Sequence, residues 1–306
     1  MMGMPMTQSI SVATEQFQQP LTANSGVAYE IHRFVRTSPI GALAAVFVLL
    51  LFLVAIFANQ IAPYHPLKAD FRALRQAPSF KHWLGTDNLG RDVLSRLIHG
   101  SQITLFVSIT STVLSKLLGI SWGVLTGYVG GTFDLLSQRV VDVLLAFPGI
   151  ILSMLLLAAL GGGVSSIILA ITLLGIAGTV RVIRSVVLSV KEMAYIEAAR
   201  STGVLSQRIM FRHIAPQCIA PALVLFSASL GGAIFAEAAL SFLGLGIPQP
   251  NPSWGNMLGG ILADQFRPKW WLVIFPGMTI TATVLAFNLL GDALRDYLDP
   301  KLQGKL

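Results

Sequence analysis

Charged residues are scarce in this chain. Asp, Glu, Lys and Arg make up 11% of its 306 residues, whereas soluble domains average roughly 25%. Hydrophobic residues make up 54%, so the composition excludes an ordinary soluble domain and indicates a membrane protein. The net charge of +7 does not indicate nucleic-acid binding, because the basic residues are dispersed around the ends of apolar runs rather than concentrated in one segment.

The common motifs of catalysis, metal binding and nucleotide binding are also missing. The single cysteine, Cys218, has no partner for an internal disulfide and no metal-ligand spacing around it. The sequence contains no H-E-x-x-H pair, no G-x-S-x-G and no phosphate-binding G-x-x-x-x-G-K-[ST] pattern. We therefore expect no catalytic residues, no metal site and no cofactor in this chain, which argues against an intramembrane enzyme.

Six apolar runs dominate the chain, and each approaches the length that a helix needs to cross a bilayer, about 20 residues. The predicted spans cover residues 40–58, 103–128, 143–160, 164–180, 218–236 and 271–290. They predict an all-α membrane protein with six transmembrane helices, in a membrane domain of residues 36–302. Residues 1–35 lack a signal-peptide pattern and are predicted to be a flexible N-terminal segment, and residues 303–306 a short tail.

The basic residues that flank the first span predict its orientation. Arg33 and Arg36 precede this span closely, whereas the first basic residue after it is Lys68. Because basic residues favour the cytoplasmic side, we expect both termini and the 181–217 loop in the cytoplasm. The 59–102 loop is then external.

The external loop contains a pattern of its own. Residues 84–100 predict a short amphipathic helix, with Asp92 and Arg96 paired one turn apart and Gly100 at its end. Such a helix serves either as a lateral structural element at the membrane surface or as a contact for a soluble partner.

Two charged residues lie within or at the edge of apolar runs. Lys116 is near the centre of the second span and Glu237 is at the end of the fifth. A charge in the bilayer is costly, so Lys116 is either a pathway group or an interhelix contact. Glu237 is either a capping, interfacial or interhelix group or a substrate contact in the pathway. No span carries the repeated carboxylates of a proton relay, which argues against an ion-coupled carrier.

The backbone around the third span is predicted to be irregular. Pro148 predicts a kink, either as a packing adjustment or as the edge of a cavity. Residues 161–163 are three glycines that join the third and fourth spans in a tight hairpin.

The 181–217 loop predicts a helix, a sharp turn and a second helix. Residues 193–201 are good helix formers with a possible Glu197–Arg200 pair, and Gly203 is placed to end the helix. A second helix is expected from Ser206, as N-cap, to Ile214. This charged, alanine-rich unit suits either docking against a protein or lying flat on lipid.

The spacing in this loop resembles the EAA loop of permease subunits in binding-protein-dependent ABC importers. Glu197, Ala198 and Ala199 are followed by Gly203 at the seventh position and Pro216 at the twentieth. One departure concerns the apolar pair that precedes the proline in that family, because Ile214 is one place late and Ala215 takes the position of the leucine.

Four further stretches resemble the second permease subunit of dipeptide, oligopeptide and nickel importers. They are LGTDNLGRDVLSRL at 84–97, RVVDVLLAFPG at 139–149, EAALSFLGLGIPQPNPSWGNML at 237–258 and FPGMTITATVLAFNLLGDALRDYLDPKL at 275–302. The resemblance covers residues 31–302.

The resemblance implies a type I ABC importer permease fold in the bacterial inner membrane. It implies a homologous second permease, two ATPase subunits that bind ATP and Mg²⁺, and an extracytoplasmic substrate-binding protein. It also implies alternating access, with a cytoplasmic coupling helix that contacts the ATPase through Glu197, Ala198, Ala199, Arg200 and Gly203. Peptides are the expected solute, with nickel, glutathione or an opine as alternatives, and a stand-alone channel or ion-coupled carrier is the alternative class.

Overall fold

The computed structural model describes residues 27–262 and 269–298, and the regular elements in this part of the chain are helices. Their bounds are α1 Val27–Thr37, α2 Pro39–Ile56, α3 Ala58–Ile61, α4 Val93–Val129, α5 Gly131–Ala146, α6 Gly149–Leu160, α7 Val164–Lys191, α8 Ala194–Ser201, α9 Ser206–Ile209, α10 Ile219–Phe242, α11 Trp254–Leu262 and α12 Trp270–Leu298. A π-helical turn, Met210–Ile214, and a 3₁₀ turn, Ala215–Cys218, join α9 to α10.

The chain divides into two compact units, Met1–Pro39 and Ile40–Leu306. In the first, α1 is an amphipathic helix, so the segment predicted to be flexible is helical from Val27 onwards. Residues 1–26 and the predicted 303–306 tail lie outside the described residues.

Among the residues that the structure describes, five helical runs are long and apolar enough to cross a membrane: α2, α4, α7, the continuous run Ser206–Phe242, and α12 to Tyr297. A sixth crossing exists if the bent pair α5 and α6 is counted as one span. The predicted all-α, multi-span fold class is confirmed.

The third predicted span, 143–160, is not one straight helix. α5 and α6 meet at a bend of 92° around Phe147 and Pro148. The predicted kink is therefore present and is large enough to make α5 and α6 separate helices. At 1.5 Å per residue α6 is about 18 Å long, which is less than the hydrocarbon thickness of about 30 Å.

The separate surface helix predicted for residues 84–100 is wrong. α4 begins at Val93 and continues through Gly100 to Val129. Gly100 does not end a helix; a Cβ there would lie 3.0 Å from the Trp254 ring, so glycine at this position favours the close approach of α11. Trp254 is fully buried and its Nε1 donates to the Leu97 carbonyl.

α4 and α7 form the central pair of the membrane domain and run parallel to each other. Three glycines one turn apart on α4 lie against α7, where an added Cβ on Gly119 would be 2.6 Å from Thr179 and one on Gly123 would be 2.9 Å from Ile183. The third, Gly127, would place its Cβ 2.8 Å from Val187. These three positions form a glycine seam of the small-xxx-small kind that lets two membrane helices pack at close range.

Candidate functional site

The short helix α8 lies at the end of the α4–α7 pair where both helices terminate, which we call the α8 end. Its anchor is Ile196, which is fully buried in a cluster with Val124 of α4 and with Ile183 and Val187 of α7. Ala199 is half-buried against the same cluster. One apolar face therefore seats α8 on both helices of the central pair.

The rest of α8 faces outward. Glu197, Ala198 and Arg200 are exposed, so four of the five predicted coupling residues lie on one short helix and three of these are accessible. The predicted Glu197–Arg200 pair is not formed, and among the described residues neither side chain has an ion-pair partner. Exposed pairs of this kind are worth only about 0.2–0.5 kcal/mol, so solvation competes easily with pairing.

Gly203 ends α8 as predicted. Its φ of +76° is in the left-handed region, its N–H donates to the Arg200 carbonyl, and the N–H of Val204 donates to the Ala199 carbonyl. This pair of bonds is a Schellman motif, and Val204 adds its apolar contact by packing beside Ala199 in the cluster. A Cβ at Gly203 would meet nothing within 4 Å, so glycine is required here by backbone conformation rather than by space.

The second helix of the loop differs from the prediction at its start. Leu205 rather than Ser206 is the N-cap residue, and Ser206 is the first residue of α9. The π-helical turn that follows ends at Ile214, which is fully buried in the cluster, and Ala215 is half-buried. A π-turn adds one residue to a helical turn, so it accounts for a buried Ile214 one place later than the motif expects.

Polar contacts that the sequence analysis did not identify hold the helices around α8. Arg184 of α7 makes a bidentate pair with Asp134 of α5, at 2.6 and 2.5 Å. Arg181 bonds to Asp142 at 2.7 Å, and Lys191 donates to the Tyr128 carbonyl. The side chains are recognisable in the sequence as isolated charges beside apolar runs, but their partners lie 39, 50 and 63 residues away along the chain.

Lys116 and Glu237 both make contacts between helices. Lys116 is 6% exposed and its Nζ donates to the Thr179 hydroxyl of α7 at 2.9 Å. Glu237 is fully buried inside α10, where its carboxylate accepts hydrogen bonds from Thr104 of α4 and from Ser241. Glu237 therefore does not end its helix as expected, because α10 continues to Phe242.

The opposite end of the central pair, which we call the Val93 end, carries a buried polar network. Asp92 caps α4 by accepting from the N–H and hydroxyl of Ser95, and its other oxygen lies 2.9 Å from His82 Nδ1. The predicted Asp92–Arg96 pair is wrong: Arg96 instead lies 3.5 Å from Asp87. The helix begins at Val93, so the Asp92 carboxylate folds back onto the first turn rather than along the helix surface.

A cavity of about 320 Å³ lies beside this network. Arg91 and Arg96 line one part of it, together with Asp87, which is the only acidic residue among the lining residues. The remaining lining residues come from the loop before α4, the first residue of α4, the 249–257 segment and α12, and they are Asn88, Leu89, Val93, Gln249, Pro250, Asn256, Met257 and Leu272.

Two family models match the chain. One, described as "Binding-protein-dependent transport system inner membrane component", matches residues 119–304, which include α8 and the glycine seam. The other, described as "N-terminal TM domain of oligopeptide transport permease C", matches residues 30–78.

The chain is also similar to individual transport proteins. It is 43% identical to the glutathione transport system permease protein GsiD of Escherichia coli O1:K1 / APEC over 90% of this chain and 91% of the relative. It is 42% identical to GsiD of Pectobacterium atrosepticum over 89% and 90% of the two chains. Among solved structures, an inward-facing MetNI methionine ABC transporter matches with a TM-score of 0.56 and 17% identity, over 67% of this chain and 97% of that one.

Proposed function

The chain belongs to the family of binding-protein-dependent transport system inner membrane components, and on that premise we propose how it is energised and what it carries. It is a multi-pass inner-membrane permease of an ABC importer. We propose that it is one of two homologous permeases, that ATP hydrolysis takes place in two partner ATPase subunits that bind ATP and Mg²⁺, and that transport proceeds by alternating access.

The observation that carries the proposal is the construction of α8. It is seated by the fully buried Ile196 and closed by the Schellman motif at Gly203, while Glu197, Ala198 and Arg200 face outward. A helix that is fixed on one face and exposes small and charged residues on the other suits a rigid contact with a second protein. We propose that the ATPase subunit binds this exposed face.

We propose peptides as the solute class, with glutathione as the first compound to test. The support is that the family model matching residues 30–78 names an oligopeptide permease and that relatives over 40% identical are named as glutathione permeases. Glutathione is itself a tripeptide, so the two names point to one chemical class. Nickel and opines are the alternatives within the importer class.

Uptake by a reconstituted complex tests this proposal. The chain would be assembled in proteoliposomes with its homologous permease, the ATPase subunits and the binding protein, and supplied with glutathione, dialanine or Ni²⁺. We expect glutathione or dialanine to enter the vesicles only when ATP is supplied on the side of the ATPase subunits. Uptake that does not require ATP would instead establish the stand-alone channel or carrier.

The proposed orientation places α8 and both termini in the cytoplasm. Because the one native cysteine, Cys218, is fully buried, variants that add one cysteine at the exposed Ser201 or Phe80 can be labelled selectively at the added position. In spheroplasts, a membrane-impermeant maleimide should label Phe80→Cys and spare Ser201→Cys. The reverse pattern would overturn the orientation.

A further inference from the structure

The cavity at the Val93 end contains more positive than negative charge. Among its lining residues the two guanidinium groups of Arg91 and Arg96 are opposed by the single carboxylate of Asp87. Arg91 is 9% exposed and Arg96 is 2% exposed. Two cations in so buried a setting require compensation, because an unpaired buried charge is costly.

Asp87 has little capacity left to supply that compensation. Its Oδ1 accepts the backbone N–H groups of Leu89 and Arg91, and its Oδ2 accepts Arg91 Nε at 2.7 Å. Arg96 Nε lies farther away, at 3.5 Å from the same oxygen. The nearby carboxylate of Asp92 is occupied by His82 and Ser95.

Three of the four outer nitrogens of the two guanidinium groups therefore have no hydrogen-bond partner among the described residues. Within residues 27–262 and 269–298, Arg91 Nη1 and Nη2 have no hydrogen-bond partner, and Arg96 makes one long bond of 3.4 Å from Nη1 to the Pro66 carbonyl. Arginine forks of this kind match the two oxygens of a carboxylate. The rest of the lining mixes apolar side chains with the amides of Gln249 and Asn256.

We propose that this cavity binds the carboxylate of a small solute through Arg91 and Arg96. Its volume of about 320 Å³ is within the range of small-molecule sites, roughly 300–1,000 Å³. The inference rests on the proposed function, because peptides and glutathione carry carboxylates. The cavity is at the Val93 end of the α4–α7 pair, which the proposed orientation places outside. The site would hold an arriving solute at the outer face of the permease.

Equilibrium binding to the full chain in lipid nanodiscs, without ATP and without the binding protein, tests the inference. The probes are dialanine and dialanine amide, which differ only in the free carboxylate. We expect dialanine to bind at least about tenfold more tightly than the amide, since one charge-assisted pair is worth at least that much. Equal binding of the acid and the amide, or binding of neither, would overturn the proposal.

Two variants test whether dialanine binds in this cavity. Arg91→Gln removes one cation, and Gln249→Trp fills the cavity from an exposed position that takes part in no ion pair. Each should weaken dialanine binding about tenfold, whereas Lys81→Gln, which removes a positive charge from an exposed side chain outside the lining, should leave it unchanged. If Arg91→Gln fails to fold, Gln249→Trp decides alone, and unchanged binding by that variant rejects the cavity.

The outcome is separable from that of the proposed function. ATP-dependent uptake by the complex with no dialanine binding by the chain rejects this site and leaves the importer intact. Carboxylate-dependent binding with uptake that ignores ATP supports the site and rejects the importer mechanism.

Discussion

The two ends of the α4–α7 pair are built in opposite ways. At the Val93 end, polar side chains are buried and bonded to one another: Asp92 to His82 and Ser95, and Glu237 to Thr104 and Ser241. At the α8 end, the charges of α8 itself face outward and have no partner among the described residues. Variants at the Val93 end should therefore cost stability, whereas variants on α8 should cost contact with a partner.

The largest expected effect is on stability, at Asp92. Asp92→Ala removes the helix cap and leaves His82 and Ser95 buried without their acceptor, which should lower the free energy of unfolding by about 3 kcal/mol. Thermal unfolding of the purified chain in detergent measures the loss. The matched control is Asp70→Ala, because the side chain of Asp70 is 40% exposed and lies 3.9 Å from Lys81. An equal loss in the free energy of unfolding at the two positions would contradict the difference between the buried and the exposed carboxylate.

The second effect is on coupling, at Gly203. Gly203→Val forces a β-branched residue into a left-handed conformation, at a cost of about 1–3 kcal/mol, and so opens the Schellman motif that sets the end of α8. Uptake and partner-stimulated ATP hydrolysis should fall by about tenfold while insertion into the membrane is unchanged.

Gly178→Val is the control for this prediction. Gly178 is exposed within α7, also has open space where a Cβ would be added, and lacks the positive φ. Full uptake by Gly203→Val, or an equal loss in Gly178→Val, would contradict a specific role for the end of α8.

The smallest effect is on partner binding, at Glu197. Glu197→Lys reverses an exposed charge and should reduce recovery of the ATPase subunits in a detergent pull-down about threefold, since rim charges are individually worth little. Thermal unfolding of the chain alone should not change. Glu192→Lys, exposed at the end of α7 but outside α8, is the control, and full recovery with Glu197→Lys would argue against docking on α8.

The sequence predicted well those features that depend on neighbouring residues. The apolar runs gave the all-α fold class, Gly203 gave the end of α8, and Pro148 gave the position of the bend. Each is a local property of backbone conformation or of hydropathy over one helix length.

Features that depend on distant parts of the chain were missed. A glycine after an amphipathic stretch predicts a helix end, whereas Gly100 instead contacts Trp254, which is far away in sequence. Likewise, the i,i+4 spacing predicts an Asp92–Arg96 pair, whereas the buried partner of Asp92, His82, lies in the preceding loop. The glycine seam had a visible signal, since Gly119, Gly123 and Gly127 recur at every fourth position of an apolar run.

The glycine seam also has a mechanical consequence. The close approach of Gly119, Gly123 and Gly127 to α7 opposes sliding of one helix on the other, and α8 follows directly from the end of α7. α4 is about 55 Å long at 1.5 Å per residue, and Arg96 lies near the end of α4 opposite α8. If the pair tilted as a rigid body by about 5° at the α8 end, the end of α4 at Arg96 would move by about 5 Å, which is more than the length of a hydrogen bond.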